Sequence, residues 1–588
     1  MSSAPYIFLD DQIKGQSRYY DAPTSLIEAH HQDDIPGALA SIEAALADGK
    51  YVAGYASYEL GIQIGKPLED HLGRAEHPIL QFGVFDRYDP DRRPFGQSYA
   101  PLPELKPRWS EAQYLKRFKR AKAYIEAGDI YQINVTFPYS GTSLERPDFA
   151  ALYGHLRGRQ PVRYGGIIQL CDRHILSLSP ELFFEIEGRT VRTRPMKGTA
   201  ARGATPAEDL RIGKAMQNDE KSQAENLMIV DLLRNDLSMI GQSGTTKVTD
   251  LFSLETYPTL HQMTSGIETQ MRSGVTATEV FSSLFPCGSI TGAPKRRAME
   301  IIEELEPDPR GPYCGAIGYF DPDGSAKFNV AIRTLTSQPH QRGFVTHYGV
   351  GSGVVYDSDG AQEYAECTLK SAIITAKPKL IETLKWTPND GFIRLELHVS
   401  RLLKSAKDFG YNVDLITLFS LLDAEVVNNT APKRIRISLS QTDQIKIQSE
   451  TFTPLPEPIK LALSKKALTP QRQFFDAKID SRIFYDGERS RLISLTGCDE
   501  VLFLNSQEQL CEGSFTSLFV KLPGMQKLQT PALNCGLLPG VFRHEMIATN
   551  QAEESILFTR DLTRVQQLYV GNSLRGLMPA ILLSPNLK

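Results

Sequence analysis

Thr193-Arg-Pro-Met-Lys-Gly-Thr-Ala-Ala-Arg202 is the stretch on which the reading of this chain turns. The β-branched entry reads as a short strand, and Pro195 and Gly198 then signal a turn. Lys197 is thereby set between a ring that fixes the entering backbone and a glycine that admits close approach of another molecule. A lysine in a turn is ordinarily a solvated charge, so its meaning depends on what the rest of the chain supplies.

The 588 residues exceed what one hydrophobic core usually serves, so at least two domains are expected. With 41% hydrophobic and 23% charged residues the composition is that of an ordinary globular protein. A formal charge of -4 gives no basic field for nucleic acid. The seven cysteines are scattered without CxxC spacing, which argues for a reducing compartment and against a zinc site. No window is apolar for the length of a membrane span, and the start lacks a basic end followed by an apolar run. A cytoplasmic protein is expected.

Ser110-Glu-Ala-Gln113 has capping-box form, and Tyr114, Phe118, Ala121, Tyr124 and Ile125 make a helical stripe ending at Gly128. The next strand alternates Tyr131, Ile133, Val135 and Phe137 with Gln132, Asn134 and Thr136, a polar face that is usually solvated. Ile175 to Phe184 reads as a buried strand interrupted by Pro180 and Glu181. A carboxylate in such company is either salt-bridged or raised in pKa. Asp219 to Asp236 reads as a helix whose core stripe is Ala224, Leu227, Met228 and Leu232. On a second acidic helix Glu363 and Glu366, three apart, share a face. His261 on its own reads more naturally as a satisfied core histidine. Tyr313 to Tyr319 and Asn329 to Leu335 read as core strands.

Pro195-Met-Lys-Gly-Thr199, with Gly54-Tyr-Ala-Ser-Tyr-Glu59, Ser179-Pro-Glu181 and Phe285-Pro-Cys-Gly-Ser-Ile-Thr-Gly-Ala-Pro-Lys295, resembles the chorismate-utilising enzymes. The form is that of aminodeoxychorismate synthase component I, because anthranilate synthases typically carry alanine at the slot of Lys197. The resemblance implies that Lys197 adds to ring carbon two of chorismate, Glu181 protonates the departing hydroxyl on carbon four, and ammonia then displaces the lysine. His261 would assist catalysis. Gln132, Thr291, Tyr313, Arg333, Gly351, Gly353 and Lys370 would contact substrate, and Glu225, Glu363 and Glu366 would hold Mg2+. Gln132 stands where isochorismate and salicylate synthases carry a water-activating lysine, which disfavours hydroxylation. Cys287 departs from the family, where glycine is usual. The lysine must be neutral to attack, through desolvation or a cation such as Arg194. None of the cysteines has the setting of a glutaminase nucleophile, so a separate glutamine amidotransferase subunit is the expected partner.

Ala376-Lys-Pro-Lys379 reads as a linker. Beyond it a strand at Ile381 to Leu384 precedes a helix from His398 to Phe409, closed by Gly410. Arg401, Lys478, Glu512-Gly-Ser-Phe-Thr516, Gly536 to Arg543 and Gly571 to Gly576 follow in the order of fold-type IV pyridoxal-phosphate enzymes, and are similar to aminodeoxychorismate lyase. The resemblance implies that Lys478 bonds the cofactor and moves a proton, Glu512 holds the pyridine nitrogen protonated, and Arg401 with the amides around Val541 and Ser573 binds phosphate. Ala477, Ile479 and Ser517 depart from that family's usual residues.

The expected fold is therefore α+β: residues 1–375 a large chorismate-binding β-sandwich with helices, residues 380–588 a smaller two-subdomain fold-type IV domain. The expected activity makes 4-aminobenzoate, the folate precursor, from chorismate and ammonia in two steps. A homodimer through the C-terminal domain follows by analogy. The rivals are an anthranilate synthase-like first half, and a second half that is a D-amino-acid or branched-chain aminotransferase or a cofactor-binding module without activity.

Overall fold

The computed structural model describes residues 4–583 except 65–76, 96–101, 160, 204–205, 257–259, 376–378, 410, 441–443, 466–467, 469–476, 481 and 506. The chain divides into two compact units, one closing at Thr375 and one beginning at Ala376. Of the expected linker, residues 376–379, all but Lys379 lie outside the described residues, as does the expected helix stop at Gly410.

The first unit holds a nine-stranded and a ten-stranded sheet. Their side chains share one core, with Ile7, Tyr20, Ile168 and Ile175 from the first sheet and Ala53, Tyr55, Phe85 and Ile317 from the second. In the first sheet Gln132–Ser143 pairs antiparallel with Gly343–Val354, bringing Gly353 opposite Asn134. The helix Glu111–Glu126 starts at the expected capping box, in which Ser110 and Gln113 each accept the other's backbone N–H.

Four local expectations are corrected. Lys197 is not in a turn: Thr190–Arg194 is followed by a second strand, Met196–Ala201, paired with Leu260–Gln270. Gly198, at φ +80°, accommodates a break in register between Lys197 and Thr199, so the glycine makes a bulge. The polar face of the Gln132 strand is not solvated, since Gln132 is 1% exposed while Tyr131 is 67% exposed. Glu306 accepts from the Thr136 amide and hydroxyl, and Arg310 donates to the Asn134 carbonyl, so protein groups rather than solvent cover this stretch. On the helix Glu220–Ile240 the buried stripe is Asn226, Ile229, Val230, Leu233 and Leu237, whereas Leu227 is 45% exposed. Lastly, Tyr313 and Arg333 lie outside the strands Ala316–Phe320, Ala326–Val330 and Thr334–His340. Arg333 has a left-handed φ of +51°, as has Cys314 at +63°, which an extended strand excludes.

The second unit holds a four-stranded and an eight-stranded sheet, each with its own core cluster. The helix Leu395–Phe409 packs its Val399, Leu402 and Ala406 against Leu380, Leu384, Ile435 and Ile437 of the smaller sheet. Lys478 is held at the edge of that sheet. Ile381 N–H donates to the Lys478 carbonyl at 2.8 Å, Asp480 N–H donates to Lys379 at 3.0 Å, and Leu380 bridges Ile479.

Candidate active sites

In the first unit Glu181 occupies the break between the strands His174–Ser179 and Leu182–Glu187. It is 3% exposed, and its Oε1 is buried without a hydrogen-bond donor. Burial pushes its pKa up to about 7, against Ser289, Lys197, the Met196 amide and Lys370, which all pull it down. The carboxyl therefore keeps a proton near neutrality and has one oxygen facing no partner.

Lys197 and Gln132 come from different sheets and meet over Gly353. A Cβ built on Gly353 would lie 3.2 Å from both Lys197 Nζ and Gln132 Nε2. Gln132 Oε1 is also buried without a donor, so two acceptors in this pocket are unsatisfied by the protein. Lys370 Nζ donates to the Gly351 carbonyl at 2.8 Å and pairs with Glu366 at 2.6 Å. The loop after Pro286 is fixed from below: Arg310 donates to the Ile290 carbonyl at 2.9 Å, and the Thr291 hydroxyl donates to Cys287 or Gly288. Tyr313 is buried with its ring against Gly349.

His261 belongs to another cluster. Its Nε2 is 2.8 Å from Asp209, which Arg202 holds well below the usual carboxylate range, and its Nδ1 is 3.0 Å from Thr256. Both ring nitrogens are thus satisfied, in keeping with its core reading. Arg194 is likewise committed, donating to Asp250 and Glu255, so its charge is compensated there.

Among the described residues no three His, Cys, Asp or Glu side chains converge into a group able to hold a metal ion. Glu225 lies on the helix Glu220–Ile240, and Glu363 and Glu366 lie on Gly360–Thr375, where Glu366 is engaged by Lys370. These carboxylates do not fit a preassembled magnesium site, and no step below is routed through a metal.

In the second unit burial lowers the pKa of Lys478 to about 7, outweighing Glu382 and aided by Arg401, Arg482 and Arg436. Glu512 is raised to about 7 by burial, yet both its oxygens are braced: Tyr485 O–H donates at 2.8 Å and Leu538 N–H at 3.2 Å. The loop after it is anchored by Glu500, which accepts from the Ser514 and Phe515 amides and from the Ser514 and Thr516 hydroxyls.

Arg401 donates twice to Glu382 and once to the Pro539 carbonyl, so three of its five N–H groups are used. The helix Val541–Ala548 starts at Gly540 with no side-chain cap, leaving its first amides for an anion. Glu382, His398 and Ser573 extend this network. His398 Nδ1 is 2.6 Å from Glu382, and its Nε2 is 2.7 Å from the Ser573 hydroxyl. Burial lowers the pKa of His398, so a neutral ring donates to Glu382 and accepts from Ser573. A basic amine with depressed pKa, a braced buried acid, and an arginine beside an uncapped helix start suit the aldehyde, ring nitrogen and phosphate of pyridoxal phosphate. The sequence reading missed Glu382 and His398. The spacing of His398 and Arg401, three apart on one helix, was the available signal.

Residues 87–376 match the chorismate binding enzyme family, and residues 379–582 match the amino-transferase class IV family. The chain is 43% identical over 269 residues to anthranilate synthase component 1 of Streptomyces coelicolor, covering 45% of this chain and 52% of that protein. It is 35% identical over 301 residues to aminodeoxychorismate synthase component 1 of Klebsiella aerogenes, covering 50% of this chain and 65% of that protein. The chain thus spans about half to two-thirds of the length of these curated relatives. Anthranilate synthase component I of Streptococcus pneumoniae shares the fold, with a TM-score of 0.50 and 22% identity over 64% of this chain and 91% of that chain. No described helix is long and apolar enough to cross a membrane. The chain thus joins a domain matching the chorismate binding enzymes, residues 87–376, to a domain matching the class IV amino-transferases, residues 379–582.

Proposed function

We propose that the chain makes 4-aminobenzoate in two steps, as an aminodeoxychorismate synthase joined to an aminodeoxychorismate lyase. The observation that carries the first step is the meeting of Lys197 and Gln132 over Gly353, in a unit whose buried Glu181 titrates near 7. Glu181 gives its proton to the hydroxyl leaving carbon four of chorismate while Lys197 Nζ bonds carbon two. Ammonia then bonds carbon four and the lysine leaves carbon two, regenerating the free amine and giving 4-amino-4-deoxychorismate. Gln132 cannot act as a base for water, which favours amination over hydroxylation. A separate glutamine amidotransferase would supply the ammonia, with free ammonia as its substitute.

Pyridoxal phosphate bound in the second unit would supply an aldehyde that condenses with amines and a ring that accepts electrons. Arg401 and the amides around Val541 and Ser573 would hold its phosphate, and Glu512 would keep its ring nitrogen protonated. Lys478, unprotonated above about pH 7, would hold the aldehyde and carry a proton between substrate carbons. Loss of that proton and delivery of one to the enol side chain releases pyruvate and aromatises the ring.

The higher identity to an anthranilate synthase component favours a second reading of the first unit, amination next to the carboxylate. Lys197 separates the two. Purified protein with chorismate, an ammonium salt, magnesium and pyridoxal phosphate is expected to form 4-aminobenzoate and pyruvate. Lys197→Ala is expected to lose the 4-aminobenzoate by at least about a hundredfold; an unchanged rate refutes the covalent role, and anthranilate from the wild type refutes the synthase reading.

A further inference from the structure

Arg310 and Glu306 form a buried ion pair in the first unit, their side chains 2% and 6% exposed. Arg310 donates to Glu306 through Nε at 2.8 Å and Nη2 at 2.7 Å. It also donates to the Ile290 carbonyl through Nη1 at 2.9 Å and to the Asn134 carbonyl through Nη2 at 2.7 Å, so four bonds draw on its five N–H groups. Glu306 takes two more bonds, from the Thr136 amide at 2.7 Å and the Thr136 hydroxyl at 2.9 Å.

Such a pair adds little to stability in itself, because stripping water from two charges costs about what their attraction returns. Its bonds lead instead to the substrate pocket. Asn134 lies on the Gln132–Ser143 strand, and Ile290 precedes Thr291 in the loop after Pro286. These two segments meet directly: the Asn134 amide donates to the Thr291 carbonyl at 2.8 Å, and Gly292 stands opposite Ile133. Arg310 bonds the carbonyl on each side of that junction. The helix Lys295–Leu305 runs from the same loop to Glu306, so the pair ties the loop to the far end of its own helix.

The arginine is backed by Gly54 to Glu59, a motif to which the proposed chemistry gives no role. Its guanidinium lies 4.4 Å from the centre of the Tyr58 ring. Tyr58 N–H donates to the Gly311 carbonyl at 2.9 Å, and Gly311 N–H donates to Glu59 at 3.1 Å. The Tyr58 hydroxyl is buried without a partner, so the face of the ring is what bears on Arg310. The strand and loop that Arg310 grips belong to the nine-stranded sheet. Lys197, and the strand that follows Glu181, belong to the ten-stranded sheet, and none of the four bonds goes to either residue. The loop bears on Glu181 through Ser289, beside Ile290.

We infer that Arg310, with Glu306 and Tyr58, is a positioning residue for the first unit: it fixes the Gln132 strand against the Thr291 loop and so governs how tightly chorismate is held more than how fast its bonds change. The inference rests on the proposed use of chorismate by that unit.

The test follows chorismate consumption by the full chain, with an ammonium salt and magnesium, over a range of chorismate concentrations. Arg310→Lys keeps a charge beside Glu306 but cannot span a carboxylate and two carbonyls. It is expected to raise KM about tenfold and to lower kcat less than about threefold. Tyr58→Leu removes the ring and no hydrogen-bonded side-chain atom, so it should fold; KM should rise about threefold, again with the smaller change in kcat. Circular dichroism and denaturant midpoints report folding. A purely structural role would lower the fraction of active molecules, so that kcat falls and KM stays. That result in either folded variant overturns the inference, and if Arg310→Lys does not fold, Tyr58→Leu decides. A wild type that consumes no chorismate overturns the inference together with the reading beneath it, whereas wild-type turnover with KM unmoved in the variants removes the positioning role alone.

Discussion

Glu181 and Glu512 are both buried, and both have pKa values raised to about 7, but they are held in opposite ways. Glu512 is braced on both oxygens by Tyr485 and Leu538, whereas Glu181 leaves Oε1 without a donor. A buried acid with an open oxygen is arranged to pass its proton to something that arrives. One braced on both sides is arranged to stay in place beside a group that remains. On the proposed function, the same desolvation would serve a transient donor in one unit and a permanent support in the other.

The sharpest way to break this contrast is to remove the amine in the supported pocket. Lys478→Ala should abolish borohydride-stable attachment of pyridoxal phosphate, seen by mass spectrometry, and pyruvate release with it. Consumption of chorismate should persist. Loss of both activities would mean that the units do not act separately.

Next in size, Glu181→Gln should slow chorismate consumption by about 10²- to 10⁴-fold, because an amide cannot give up the proton. Glu512→Gln should impair pyruvate release and leave chorismate consumption intact. Equal effects of the two changes on the first step would erase the distinction.

Acidity separates the pockets further. Above about pH 7 Glu181 loses its proton, so chorismate consumption should fall about tenfold per unit. Below about pH 7 Lys478 gains one, so capture of pyridoxal phosphate should slow by a similar factor. Stability follows the same groups. Between 4.5 and about 7 the native state holds the Glu181 proton that the unfolded chain has lost, so this contribution declines as pH rises. Between about 7 and 10.5 the unfolded chain holds the Lys478 proton that the native state lacks, so that contribution grows with pH. Paired pH profiles of product formation and of denaturant midpoints measure both.

The smallest effect concerns the brace. Tyr485→Phe removes the donor to Glu512 Oε1 and should cost about 1 kcal/mol of stability in denaturant titrations, with pyruvate release reduced only a few-fold. An unchanged midpoint would show that the brace is not a stabilising contact.

What a short motif carries stands out in the sequence: Lys197 and Glu181 lie in local patterns of proline, glycine and apolar residues, whereas Lys478 and Arg401 stand out only by their order along the chain. What was illegible depends on pairing at a distance. Gly198 reads as a turn until the strand Leu260–Gln270 pairs with it and makes it a bulge. Gln132 reads as solvated until Arg310 and Glu306, far along the chain, seal that face. Glu382 reads as one acid in a strand until the helix bearing His398 and Arg401 folds onto it. The helix stripe of Glu220–Ile240 was misplaced by a residue or two because its alanine and leucine positions suit either register, and only packing chooses.

Gly353 has a consequence for how the first pocket could change. Its missing methyl group would sit at contact distance from two head groups that arrive from separate sheets. An alanine there would push on the flexible ends of both side chains, so this one position sets where the amine and the amide stand relative to each other.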